Sequence, residues 1–166
     1  MVEKDIVVDQ LRLTYDGLFS VRELYKMIAE WLEEKGYDQK ETKNIESITP
    51  DGKYIEIELL PWKKFTDYIK SMIRVRMIFS GIKEVEVEKD GVKIKLNQGK
   101  AQFVFDGYLQ TDWENRWEEK PAFILIRTLF DKYFYSPFMT GYRGHLKDNV
   151  MDLQGRIKAF LNLYRY

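Results

Sequence analysis

The sequence predicts an α+β domain in which an antiparallel β-sheet is covered by helices. Three observations predict it. Stretches that alternate apolar and polar residues dominate the chain up to Trp113. Asp-Gly steps punctuate them as tight turns. Helical spacing without a competing strand reading occurs in one segment after Ser20 and in the last third of the chain. Consecutive strands joined by tight turns make a meander, and its apolar face needs a cover.

The first strand is expected over Ile6 to Tyr15, where Leu11, Leu13 and Tyr15 alternate with polar residues until Asp16-Gly17 breaks the run. Ser20 and Glu23 then form a capping-box signature, in which the serine oxygen accepts from the Glu23 amide. Val21, Leu24, Tyr25, Ile28, Trp31 and Leu32 follow at helical spacing, and Gly36 suits a left-handed C-terminal cap. Glu41 to Thr49 reads as a strand, Pro50-Asp51-Gly52 as a turn, and Tyr54 to Leu60 as a strand with Ile55, Ile57 and Leu59 on one face.

The segment after Pro61 has two readings. Trp62, Phe65, Ile69 and Met72 have helical spacing behind a first-turn proline. At period two, Phe65, Ile69, Ile73, Val75, Met77 and Phe79 share a face, and a long strand over about 66–80 is the preferred expectation. Glu84 to Glu88 and Val92 to Leu96 flank Asp90-Gly91, the step that favours a type I′ hairpin turn, with glutamates facing lysines across it. Asn97-Gln98-Gly99 precedes a last strand, Ala101 to Trp113.

Two helices close the chain. Ala122 to Tyr135 is apolar on nearly every side, including Phe130, Tyr133 and Phe134, so it must be covered from more than one direction. A glycine-containing loop, Ser136 to Gly144, leads to a helix over about 145–164. Its Leu146, Val150, Leu153, Ile157, Phe160 and Tyr164 step by four and three in a coiled-coil-like stripe.

Composition bounds what such a domain does. With 166 residues and no compositional break, one domain over 1–166 is expected. Charged residues make up 33%, above the roughly 25% usual in globular chains, and cysteine is absent, a profile that fits a thermophilic source. Lys plus Arg and Asp plus Glu both total 27, which supplies no net field for nucleic acid or membrane. No disulfide framework or thiolate nucleophile is available. The charged start is unlike a signal peptide, and no apolar stretch is long enough to span a membrane. The expectation is a cytoplasmic protein without membrane association, metal or cofactor.

No catalytic constellation stands out. His145, the single histidine, heads the expected last helix beside Arg143, where a general base or an anion site competes with a plain helix-entry residue. Asp112, Glu114, Glu118 and Glu119 beside Trp113 and Trp117 invite a glycosidase reading, but acids before Pro121 suit a helix N-terminus. Trp62, Lys63, Lys64, Phe65 and Tyr68, continuing to Lys70, Arg74 and Arg76, interleave cations with aromatics as sheets that bind RNA do. The plainer reading of that segment is a solvated strand face.

The element order, with a helix after the first strand, a long antiparallel block and a long C-terminal helix, resembles the helix-grip architecture of the START and polyketide-cyclase-like superfamily. That resemblance implies an apolar cavity between sheet and last helix. The ending, Lys158 to Tyr166, is similar in flavour to small archaeal proteins. The leading expectation is a non-enzymatic binding or assembly protein, a homodimer. Its partner surface comprises the Trp62-to-Arg76 residues together with Phe130, Tyr133, Phe134, Phe160 and Tyr164. An apolar small-molecule carrier and an RNA- or ribosome-associated factor are the alternatives.

Overall fold

The computed structural model describes residues 3–111 and 136–164. In chain order these residues form β1 (Glu3–Phe19), α1 (Val21–Glu34), β2 (Glu41–Thr49), β3 (Gly52–Leu59), β4 (Trp62–Lys64), β5 (Ile69–Lys89), β6 (Val92–Thr111) and α2 (Ser136–Asn162). The expected helix over Ala122 to Tyr135, with Phe130, Tyr133 and Phe134, lies outside the described residues.

The fold is α+β, with one six-stranded antiparallel sheet ordered β1-β6-β5-β3-β2 and with β4 paired to β5. The meander holds for β2, β3, β5 and β6, but β1 departs from it. β1 pairs with the last strand, β6, so α1 must carry the chain from one edge of the sheet to the other.

The elements form for local reasons that packing then extends. Ser20 caps α1 by accepting from the Glu23 amide at 3.2 Å. At the other end Gly36 is left-handed (φ +78°), and its amide and that of Tyr37 bond back to Glu33 O and Leu32 O, a Schellman closure. Leu24, Ile28, Trp31 and Leu32 are the buried side of α1.

β1 runs through the expected break at Asp16-Gly17, where Asp16 pairs with Lys100 and Gly17 with Gly99. The segment after Pro61 is not helical. β4 lies against β5, a turn follows, and β5 starts at Ile69 rather than at residue 66. The two hairpin strands expected around Asp90-Gly91 are not separate elements. They are the outer ends of β5 and β6, and Asp90 (φ +52°) and Gly91 (φ +78°) make the left-handed turn between them.

Between the strands expected over about 66–80 and Glu84 to Glu88 lies a bulge in β5, a register shift between Ser80 and Lys83. Glycine makes it possible on the opposing strand. A Cβ at Gly99 would stand 2.5 Å from Ile82 Cδ1 and 2.9 Å from Ser80 O.

α2 begins at Ser136, so the expected glycine-containing loop is helical. Gly141 and Gly144 face open space and leave the helix unobstructed. The buried seam is Leu146, Val150, Leu153, Ile157 and Leu161; Phe160 and Tyr164 pack only at its margin. Both helices cover the same side of the sheet, burying Ile69, Ile73, Val75, Met77 and Phe79 of β5 with Phe103, Phe105 and Leu109 of β6. α2 packs on β1 and β6 closely enough that a Cβ at Gly107 would meet Val150 Cγ2 at 3.1 Å.

One buried polar cluster ties the layers together. Asn149 Nδ2 of α2 donates to Tyr37 Oη at 3.2 Å, and that hydroxyl shares a 3.1 Å hydrogen bond with Ser71 Oγ of β5. Burial pushes the Tyr37 hydroxyl pKa up. Beside it Trp31 stacks on Tyr37 and donates Nε1 to Asp152 of α2 at 2.8 Å.

Candidate functional site

Strand alternation divides the expected aromatic and basic segment between two faces. Trp62, Lys64, Lys70, Arg74 and Arg76 lie on the face opposite the helices, as their register partners show. Lys63, Phe65 and Tyr68 go to the other side. Lys63 Nζ donates to Lys35 O at 2.9 Å at the end of α1 and stands 5.8 Å over the Tyr37 ring. Phe65 stacks on Tyr142 of α2 at 5.1 Å between centroids, and Tyr68 is 7% exposed within the core. These three residues therefore lie on the helix side of the sheet, and the expected single surface is divided between two faces.

His145 is not at a helix start. It lies about two and a half turns inside α2, exposed and edge-on to Phe65 at 5.4 Å, which removes the helix-terminus anion reading. Arg143 is paired with Asp5 of β1. The carboxylates at 112, 114, 118 and 119 lie outside the described residues. Among the described residues no group of three or more His, Cys, Asp or Glu side chains is placed to hold a metal ion.

The face opposite the helices gathers the remaining polar groups. Arg74 Nε lies 3.4 Å from Glu58 Oε1, and Arg76 Nη2 lies 3.8 Å from Asp106 Oδ2. Both Nε atoms are shut off from solvent without an aligned hydrogen bond, so these are ion pairs held by charge rather than by geometry. Lys43 donates to Glu56 at 2.7 Å, which holds the Glu56 carboxyl below its usual range. Tyr54 donates to the same carboxylate at 3.0 Å.

Two rings carry cations. Lys70 Nζ stands 4.1 Å over Trp62, and Lys4 Nζ 5.0 Å over Tyr108. Burial, and then the charge of Lys40, lower the Lys70 pKa; burial raises that of Tyr108.

A bulge in β1 borders this site. Register shifts fall between Ile6 and Leu11, where Gln10 adopts φ +52°, a conformation uncommon for residues other than glycine. The distortion aims the Gln10 amide at Asp106 Oδ1, 2.8 Å away. Bulges and strained residues concentrate where a surface has work to do.

Comparison with protein-family models, curated proteins and solved structures finds no match. The site therefore rests on its own chemistry. The whole chain is neutral, but its charges are not evenly spread. By register, strand residues Lys4, Arg12, Lys43, Lys64, Lys70, Arg74, Arg76, Lys83 and Lys100 lie on the face opposite the helices, against Asp16, Glu56, Glu58 and Asp106. Among these strand residues cations outnumber acids nine to four, and Asp67, in the turn after β4, adds a fifth acid by pairing with Lys64. Lys4, Arg12 and Tyr108 escaped sequence reasoning because they come from β1 and β6, and only sheet order brings them beside β5.

A groove of about 450 Å³ beside the end of α1, with Lys26, Glu30, Glu33 and Gln39 in its wall, is the other concavity of note. Its charges are mixed and it is open to solvent, so it presents no convergent set of polar groups. Among the described residues no helix is long and apolar enough to cross a membrane.

Proposed function

We propose that this chain is a non-enzymatic binding protein whose working surface is the sheet face opposite its helices. The observation that carries the reading is the cation excess among the described residues of that face, in a chain of zero formal net charge. Native mass spectrometry of protein purified from its own source tests it. Wild type is expected to retain a bound species that R74E/R76E loses and that K26E/K147E, altered on the exposed surfaces of the helices, keeps. Equal retention by all three proteins would dismiss the reading.

A second reading, self-assembly as a homodimer, draws on the outer ends of β5 and β6. These form a two-stranded arm in which Val85, Val87 and Ile94 line one side beyond the buried Leu96, and Val92 at the arm's tip is 60% exposed. A two-stranded ribbon is marginal alone, so an apolar side on it favours company. The same spectra report subunit number, and a strict monomer at ten micromolar, ~10 µM, would remove this reading.

The helix-grip likeness of the element order belongs with these proposals, as α2 lies along β1 and β6. The close approach of α2 to Gly107 works against an apolar-ligand cavity at that point.

A further inference from the structure

Rows of side chains, read across the sheet, give the binding face a pattern. Trp62, Met72, Tyr108 and Ile6 are register partners in turn, so rings and aliphatics from four strands form one row. Met72, between the two rings, is only 6% exposed although it lies on the side away from the helices. The next row in one direction is Lys64, Lys70, Gln110 and Lys4. In the other direction come Arg74 with Asp106, then Arg76 with Arg12 two strands away. Successive rows are about 7 Å apart along the strands, and neighbouring strands about 5 Å apart. A ring row is thus bracketed by cationic rows.

From this pattern we infer that the ligand of the face is a single-stranded nucleic acid, with phosphates on the flanking cationic rows and bases stacked on Trp62 and Tyr108. The inference rests on the binding-face reading above and names its ligand.

The chemistry fits in three respects. A phosphate chain needs cations at repeated short spacing, and the rows supply Lys or Arg on both sides of the rings. Unpaired bases need accessible ring faces. Trp62 and Tyr108 each have a lysine ammonium over the ring, a position that a base takes when the lysine moves to the adjoining phosphate. A duplex keeps its bases stacked and has no use for the ring row, whereas an acidic peptide uses the cations and leaves the rings idle. The acids do not cancel the site. Asp106 is engaged by the Gln10 backbone N–H and Arg76, Glu58 by Arg74 and Asp67 by Lys64, so each of these acids offsets one cation and the face stays net positive.

Fluorescence anisotropy with a labelled twelve-nucleotide oligouridine at about 50 mM salt tests the inference. Wild type is expected to bind with Kd of about 1–100 µM and to lose affinity steeply as salt rises. R74E/R76E is expected to bind at least tenfold more weakly. Trp62→Ala and Tyr108→Ala should each cost about fivefold or more, the loss of one stacked base. K26E/K147E should bind as wild type does. A thermal melt of each variant checks its fold, and Arg74→Gln with Arg76→Gln replaces any charge reversal that fails to fold.

Absence of binding by wild type, or equal binding by R74E/R76E, overturns the inference. If a polyglutamate peptide binds instead, indifferent to Trp62→Ala, the partner is an acidic protein. In that event the ligand class falls while the face stands. The retained species in the native spectra judges the face separately.

Discussion

Gly99 sits where β6 crosses the bulge of β5, and a methyl group there meets both a side chain and backbone oxygens. Backbone cannot step aside as the end of a flexible side chain can. Gly99→Ala is therefore expected to lower stability by about 1–3 kcal/mol, as overpacking does, read as a lower urea midpoint with an unchanged slope. A midpoint equal to that of wild type would show that the bulge relaxes freely. Tyr37 poses the converse case. Tyr37→Phe leaves the Asn149 amide buried without this acceptor, at a cost of about 1–3 kcal/mol. Tyr25 gives a pH signature. Burial, with a 2.6 Å hydrogen bond to Glu41, pushes its hydroxyl up to about 12. Because the folded value exceeds the unfolded one, the linked stability is intact below pH 10 and is lost as pH rises from there through 12. Tyr37, Tyr54 and Tyr108 are also raised, so alkaline difference absorbance should show a late-titrating group of tyrosines from which Tyr25→Phe removes one.

At the scale of elements, local signals place starts and stops well where a cap or turn residue supplies the conformation. Ser20, Gly36 and Asp90-Gly91 act as their chemistry predicts, because each satisfies its own backbone within a few residues. The failures share a cause. Asp16-Gly17 and Asn97 to Gly99 look like breaks, and residues 81–83 separate two expected strands, yet the strands continue through them because a neighbouring strand supplies the hydrogen bonds. Likewise α2 runs through Gly141 and Gly144 at about 0.5–1 kcal/mol each relative to alanine. The arm of β5 and β6 offers a test at this scale. Glu86 lies opposite Lys95, whose Nζ is also 3.6 Å from Glu84. Lys95→Glu sets like charges across the arm and should speed amide exchange there, while the global unfolding midpoint stays put. Exchange unchanged in the arm would show that these pairs contribute nothing to its order.

At the scale of the whole molecule, a neutral total hides an uneven spread of charge over the described residues. Among the described residues the cation excess lies on the sheet face opposite the helices, whereas the two helices together carry six cations and six acids. A protein of zero formal net charge and pI 6.6 should pass through a cation-exchange column at neutral pH if its charges were evenly spread. This chain is expected to be retarded at low salt, and R74E/R76E to elute earlier. Flow-through of wild type would contradict the asymmetry. The candidate site was half legible for the same reason. Trp62, Lys64, Lys70, Arg74 and Arg76 are close in sequence and were visible as a cluster, whereas Lys63, Phe65 and Tyr68 had to be assigned to the other face by the register of β4 and the turn after it.

The sequence by itself determined the class of fold, the positions of α1 and the Asp90-Gly91 turn, and the apolar side of β5, since each depends on contacts within a few residues or on a simple period. Only the tertiary structure decided that β1 joins β6, that short strands fuse into long ones across glycine bulges, and that Lys4 and Tyr108 stand with Trp62 and Arg74. Those outcomes depend on hydrogen bonds between residues far apart in the chain, and no local preference encodes which distant strand will supply them.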